Sequence, residues 1–276
     1  MLTLSRSVSR GSGATAPLPA PFRSWDSRSI RFRRASVSML AGIPGSHKTR
    51  LMLNAVLNMQ VPTLLFSTDS DRTTVASRIL ARVTGQPTEE TEGWLIDRRS
   101  DAAQILAGFD WLRCDFRPDP DLDHIWRSAY AYAEVEGQYP EQIVVDIASD
   151  IGHDAGDEWA TLRDLMRQSK ILARETGAHV LLVHHASDSP NTKRPCPRRS
   201  DIHGKVAAIP EVIVTCGTDY AGQLHVACVK NRHAKADPQA DNAFPMALDA
   251  STSYVGDYVA PQSVPGYWDY NEGEKQ

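Results

Sequence analysis

Gly42-Ile-Pro-Gly-Ser-His-Lys48-Thr49 decides the fold. It follows a short apolar run at residues 36–41 (SVSMLA) and precedes residues 49–60, where Leu51, Leu53, Ala55 and Leu57 mark a buried helix. Strand, small-residue loop and helix form the setting in which the pattern G-x-x-x-x-G-K-[ST] has a mechanism. Small residues let successive backbone N–H groups turn toward a polyphosphate, and the helix N-terminus adds its positive dipole end. Lys48 can neutralise β/γ-phosphates, and the Thr49 hydroxyl can ligate Mg²⁺. Gly42, Pro44, Gly45, Ser46, His47, Lys48, Thr49 and Arg50 are therefore the expected nucleotide cradle. One position departs from the pattern. His47 stands where glycine precedes the lysine, and a side chain there crowds the approach of backbone to phosphate, so His47 is expected to point outward past the small Gly45 and Ser46.

Outward from this loop the apolar pattern alternates. Strands are expected at residues 62–67 (PTLLFS), 142–148 (QIVVDIA), 178–184 (AHVLLVH), 211–216 (EVIVTC) and 224–229 (LHVACV). Helices are expected at 73–84, 125–135 and 158–176, the first and last ending at Gly85 and Gly177. Strands apolar on both faces, separated by helices, indicate a mostly parallel sheet covered on both sides. The last two strands are joined by a short glycine-containing loop, which predicts an antiparallel hairpin at the sheet edge. The fold class is α/β, a P-loop nucleotide-binding sheet.

Two acids follow from this arrangement. Ile143-Val-Val-Asp146 is an apolar strand ending in an acid, which beside a phosphate loop holds Mg²⁺ through water. Hydrolysis also needs a group to orient or deprotonate water. Asp69, in Phe66-Ser-Thr-Asp69-Ser-Asp71, lies just past the second strand and fits that role, while Asp71 fits the cap of the following helix.

The chain has 276 residues, a net charge of −4, 41% apolar and 23% charged residues. That is an ordinary globular composition, and no apolar run is long enough for a transmembrane helix. Cys114, Cys196, Cys216 and Cys228 follow no zinc spacing and read as reduced thiols, which fits a cytoplasmic protein. Charge is unevenly spread. Residues 1–36 hold seven arginines against Asp26, and residues 249–276 hold five acids against Lys275. The expected organisation is a basic flexible arm at 1–29, a core at 30–248 and an acidic, loosely ordered tail at 249–276. Between them, residues 186–205 (ASDSPNTKRPCPRRSDIHGK) hold Lys193, Arg194, Arg198, Arg199 and Lys205 against two acids, a charge pattern that tracks phosphates without reading bases. The loop after Asp146 is acidic and a poor phosphate contact; Trp159 there could stack or simply pack.

The order of these pieces resembles the RecA-like ATPase core of hexameric replicative DNA helicases of the DnaB type, especially short phage and plasmid forms. The resemblance runs from about residue 31 to 236. Phe66-Ser-Thr-Asp69 resembles the family's F-S-L-E segment, whose acid is catalytic; here it is a shorter aspartate. Arg78-Ile-Leu-Ala resembles the arginine-led helix that follows. Leu181-Leu-Val-His-His185 resembles the strand whose terminal polar residue senses the γ-phosphate, which favours His185. Lys230-Asn-Arg232-His233 resembles the K-x-R hairpin that reaches a neighbouring subunit's ATP site, implying Arg232 as an arginine finger and Lys230 as its companion. The resemblance implies ATP and Mg²⁺ as cofactors, single-stranded DNA, replication proteins and further copies of the chain in a ring as partners, and ATP-driven translocation and strand separation as function. The family's collar and primase domains have no counterpart in the sequence. Two rival readings are a RecA/KaiC-like ATPase for recombination or regulation, and a helicase-loader-like accessory ATPase.

Overall fold

The computed structural model describes residues 17–152, 158–187 and 194–259. Among the described residues nine strands form one sheet in the order β3-β2-β4-β5-β1-β6-β7-β8-β9. In chain order they are β1 (Val37–Gly42), β2 (Thr63–Ser67), β3 (Leu112–Asp115), β4 (Gln142–Asp146), β5 (His179–His185), β6 (Val212–Thr218), β7 (Leu224–Asn231), β8 (Phe244–Asp249) and β9 (Tyr254–Asp257). From β3 to β6 all neighbours are parallel; β7, β8 and β9 add antiparallel strands at one side. The expected mostly parallel sheet with an antiparallel flank is what the chain forms.

The central strands are buried along their whole length, as parallel strands under helices on both sides must be. The strand period of two sorts their side chains between two cores. Leu40, Leu65, Val144, Leu181 and Val183 pack with α2 (Lys48–Met59), through Leu51, Met52, Ala55 and Val56. Met39, Leu64, Phe66, Ile143, Val145 and Leu182 pack against α6 (Leu122–Glu136) and α7 (Glu158–Thr176), through Ile125, Ala129, Leu165 and Met166. Helix α3 (Arg72–Thr84) follows β2, starts at Asp71, whose carboxylate accepts the Thr74 N–H at 2.8 Å, and stops at Gly85 with φ +73°. Asp71 is the cap that the sequence predicts.

Several elements went unpredicted. Helix α1 (Arg23–Asp26) buries Trp25 against Phe22 and Phe32, and Phe32 stacks on the buried His179 at 4.6 Å. Residues 17–29 are therefore not a loose arm: Leu18, Phe22 and Trp25 belong to the core. Among the described residues the packed core reaches back to Leu18 rather than starting at 30, because three large apolar side chains among the arginines outweigh the polar composition. Likewise residues 249–259 are not a loose tail. β9 pairs with β8, Val255 is fully buried, and Asp257 accepts the N–H groups of Arg23 and Ser24, each at 2.9 Å, tying the last strand to α1. The β6–β7 hairpin is present, but two further strands cover β7, so it is not the sheet's edge. Helices α4 (Thr88–Asp97) and α5 (Arg99–Leu106) lead into the short β3. No helix among the described residues is long and apolar enough to cross a membrane.

Candidate nucleotide site

The predicted residues converge at the carboxyl ends of the parallel strands, where open α/β sheets bind ligands. Gly42 ends β1, Asp146 ends β4, His185 ends β5, and Asp69 lies two residues beyond β2. A cavity of about 530 Å³ opens there, lined by Pro44, Gly45, Ser46, His47, Lys48, Thr49, Arg50, Asp69, Arg78, Ile147 and His185.

The loop's shape follows from its small residues. A β-carbon at Gly42 would stand 2.3 Å from the Ser46 hydroxyl and 2.7 Å from the Cys216 carbonyl, so only glycine lets the loop fold back over β6. Gly45 takes φ +76°, which glycine adopts without strain. His47 takes φ 63° and ψ 24°, the left-handed conformation that glycine would supply at this position. Its ring does not project outward alone: Nδ1 accepts a hydrogen bond from the Arg50 guanidinium at 2.7 Å. The Lys48 ammonium donates to the Ile43 carbonyl at 2.9 Å, which folds the side chain back along the loop. Burial lowers its pKa, and Cys216, Asp146 and Asp69 pull it back up.

Asp146 is fully buried beneath the cavity, and neither carboxylate oxygen has a well-formed hydrogen bond. Burial pushes its pKa up to about 6; the Thr49 hydroxyl, Lys48 and Arg78 pull it down, and Asp69 adds to the rise. Two buried oxygens without donors, next to a threonine hydroxyl, are the donor set for a hard cation that keeps most of its water and takes phosphate oxygens as its other ligands. Thr49 and Asp146 thus fit Mg²⁺. Among the described residues there is no cluster of three or more His, Cys, Asp or Glu that could hold a metal by itself.

The two adjacent histidines of β5 are separated by the strand period. His185 faces the cavity half-buried, with Nδ1 unpartnered, and burial followed by Lys48 lowers its pKa. His184 is buried outside the cavity lining; its Nε2 lies 3.4 Å from the His203 carbonyl, and burial pushes its pKa down to about 4. Both are neutral imidazoles at neutral pH.

The structure brings one further residue to the cavity. Arg78, on α3, donates to the Ser70 hydroxyl at 3.2 Å and lines the cavity. The sequence signal for it was the resemblance of Arg78-Ile-Leu-Ala to the family's arginine-led helix, which did not by itself place the side chain in the cavity.

Lys230 and Arg232 do not line this cavity. Strand β7 ends at Asn231, so Lys230 is on the strand and Arg232 lies just past it. Its backbone N–H donates to Glu211 O at 3.0 Å, and its guanidinium, half exposed, lies 3.9 Å from the Glu211 carboxylate. The Lys230 ammonium donates to the Ala207 and Ala208 carbonyls at 2.8 and 2.7 Å; burial, then Arg232 and Arg199, bring its pKa down to about 8.

In the basic segment, Arg194 pairs with Asp241 at 2.5 Å and Arg198 with Asp201 at 3.2 Å, while Arg199 is exposed. Lys193 and the side chains of Lys205 and Trp159 lie outside the described residues. The segment is anchored by the buried Cys196 and Ile202 and by Ser187, whose N–H donates to Asp201 O at 2.7 Å.

No protein-family model matches the chain. Among solved structures, its fold is similar to a DnaB-like replicative helicase studied with its interactions with primase (TM-score 0.76, 13% identity, 93% of this chain and 65% of that one). It is equally similar to a second solved structure, an ATPase domain on its own (TM-score 0.76, 12% identity, 93% and 96%). A KaiC-like protein of Pyrococcus horikoshii is more distant (TM-score 0.63, 11% identity, 89% and 100%). The RecA-like fold expected from the sequence is therefore the fold of this chain. In sequence, the Gene 65 protein of Mycobacterium phage D29 is 29% identical over 78% of this chain and 96% of its own length. The Gene 65 protein of Mycobacterium phage L5 is 30% identical over 90% and 96%. This chain belongs to the family of those mycobacteriophage Gene 65 proteins, built on the ATPase-domain fold of DnaB-like helicases.

Proposed function

We propose that this protein is a Mg²⁺-dependent ATPase that translocates along single-stranded DNA and separates duplex during phage replication, in the host cytoplasm. One observation carries the reading. Lys48, Thr49, Asp69 and His185 line a single cavity with Asp146 beneath it, in the fold shared with DnaB-like ATPase domains.

The residues divide the work by position. The loop N–H groups and Lys48 bind the phosphate chain. Thr49 and Asp146 hold Mg²⁺, which when bound neutralises charge on the β- and γ-phosphate oxygens. The added positive charge favours the ionised form of Asp146, whose pKa burial holds high. Asp69 orients the attacking water and takes its proton. His185, neutral and with a free ring nitrogen, hydrogen-bonds the terminal phosphate and changes partner when that phosphate leaves. Arg232 lies outside its own subunit's cavity and half exposed, the placement required of a group that completes a neighbour's site. Lys230 is its companion on β7. An arginine acting in trans requires at least one further copy, and a ring of six, as in the family the sequence resembles, completes every site in this way. Arg199, exposed, is the primary phosphate contact among the described side chains of the basic segment; Lys193 and Lys205 keep the phosphate-contact role that their charge gives them in the sequence. Arg194 and Arg198 exchange Asp241 and Asp201 for DNA phosphates as the segment moves.

A forked duplex with one labelled strand tests this. ATP-dependent release of the strand is expected. Turnover of ATP without release supports instead a RecA/KaiC-like regulatory or recombination ATPase, the second reading, which the KaiC-like neighbour favours.

A further inference from the structure

The phosphate pocket contains more positive charge than the loop pattern requires, and one part of it has no partner. Lys48, Arg50 and Arg78 all line the cavity, against Asp69 in its wall. Arg50 is the third residue of α2, and side chains in a helix lean toward its N-terminus, here toward the loop. Among the described residues no carboxylate lies within ion-pair distance of Arg50. Its Nε is buried without a hydrogen-bond partner. Nearly all buried polar groups in folded proteins are hydrogen-bonded, and an orphaned donor on a charged group needs an explanation. Arg78 lines the same cavity, so the protein brings two guanidinium groups and the Lys48 ammonium to one pocket that holds a single carboxylate, Asp69.

What holds Arg50 there is His47. A guanidinium has donors only, so the 2.7 Å contact fixes His47 Nδ1 as the acceptor and puts the ring's proton on Nε2. His47 also occupies a left-handed backbone conformation that a non-glycine residue adopts at a cost. The chain thus carries a strained residue where the loop pattern has an unstrained one, and what it gains is a fixed guanidinium with a free Nε–H.

We propose that Arg50 is an additional phosphate-binding residue of this pocket and that His47 is its positioning residue, so that the His47–Arg50 pair stands in for the glycine of the loop pattern. The ligand is the phosphate chain of the nucleotide, so the inference rests on the nucleotide-binding reading above and gives it a recognition element of its own.

The test is the dissociation constant of a fluorescently labelled ADP with Mg²⁺, measured for the full chain and for His47→Gly, Arg50→Gln and the double variant, with unfolding midpoints alongside. Arg50→Gln is expected to weaken binding by about tenfold or more, the worth of one charge-assisted hydrogen bond. His47→Gly restores the loop pattern, yet it is expected to weaken binding by about fivefold to tenfold without lowering the unfolding midpoint. The double variant is expected to bind no more weakly than Arg50→Gln, because the two residues act as one unit. Should Arg50→Gln fail to fold, Arg50→Lys, which keeps the charge and loses the fork, replaces it in the cycle. Tighter or unchanged binding in His47→Gly, or losses that simply add in the double variant, overturns the proposal. Failure of the unaltered protein to bind the probe overturns the nucleotide-binding reading as well. Binding that depends on Lys48 but not on His47 or Arg50 overturns this proposal alone.

Discussion

Asp146 shows how a functional group is held against its own stability. Its carboxyl titrates near 6 because burial disfavours the ionised form. A folded-state value raised above the ordinary one means the folded protein binds a proton that the unfolded chain releases. The contribution is therefore most favourable at low pH and is lost as pH rises through about 6. At neutral pH the ionised, nucleotide-free site costs about 3 kcal/mol. Asp146→Asn is expected to raise the stability of the nucleotide-free protein by up to about that amount, read by urea unfolding at pH 7.5, while abolishing Mg²⁺-dependent ATP turnover. Lower stability in the asparagine variant contradicts the assignment. Arg232→Ala is expected to behave oppositely in the two steps of the reaction. Nucleotide affinity should stay within about twofold of the unaltered protein, and turnover should fall by roughly 10³-fold or more, the range for a transition-state arginine. Equilibrium binding and steady-state turnover on the same preparation check it.

At the scale of elements, strong periodicity made the central sheet and its covering helices legible. β1, β2 and β4 to β7, with α2, α3, α6 and α7, all lie within a few residues of their expected places. The missed elements share a physical cause. β3 is four residues long and half exposed, so it has neither a continuous apolar run nor an alternating one. β8 carries Pro245, which weighs against a strand, and β9 is short and carries Gly256. Helix α1 is a four-residue element whose burial depends on tertiary partners, Phe22, Phe32 and His179, that no local pattern reveals. The site was legible to the same degree. Its loop and acids are local motifs, whereas the place of Arg78 in the cavity depends on the packing of α3, and the Arg194 and Arg198 ion pairs depend on long-range or local acids. The packing of α1 makes its own prediction. Trp25→Ala should cost about 3–5 kcal/mol in denaturant unfolding, and Asp257→Ala about 1 kcal/mol through loss of the two N–H contacts at the start of α1. A near-zero effect of Trp25→Ala would return residues 17–29 to the status of a loose arm.

For the whole molecule, a net charge of −4 conceals opposite regions: seven arginines against one acid in residues 1–36, and five bases against two acids in residues 186–205. The acidity lies elsewhere, so a mildly acidic chain can still present basic surface to a polyanion. The proposed action of Arg232 in trans makes activity a property of an assembly. Mixing Lys48→Ala subunits with Arg232→Ala subunits, each inactive alone, should therefore restore part of the turnover, since some interfaces then combine an intact loop with an intact arginine; additive inactivity would place the arginine in cis or outside the reaction. On the proposed reading this cavity hydrolyses ATP in response to single-stranded DNA. The most direct test is steady-state ATP turnover of the purified chain with Mg²⁺, with and without single-stranded DNA, and with Lys48→Ala as control. The expected result is turnover that rises several-fold or more with DNA and disappears in Lys48→Ala. Turnover that is absent under both conditions, or equal in Lys48→Ala, contradicts it.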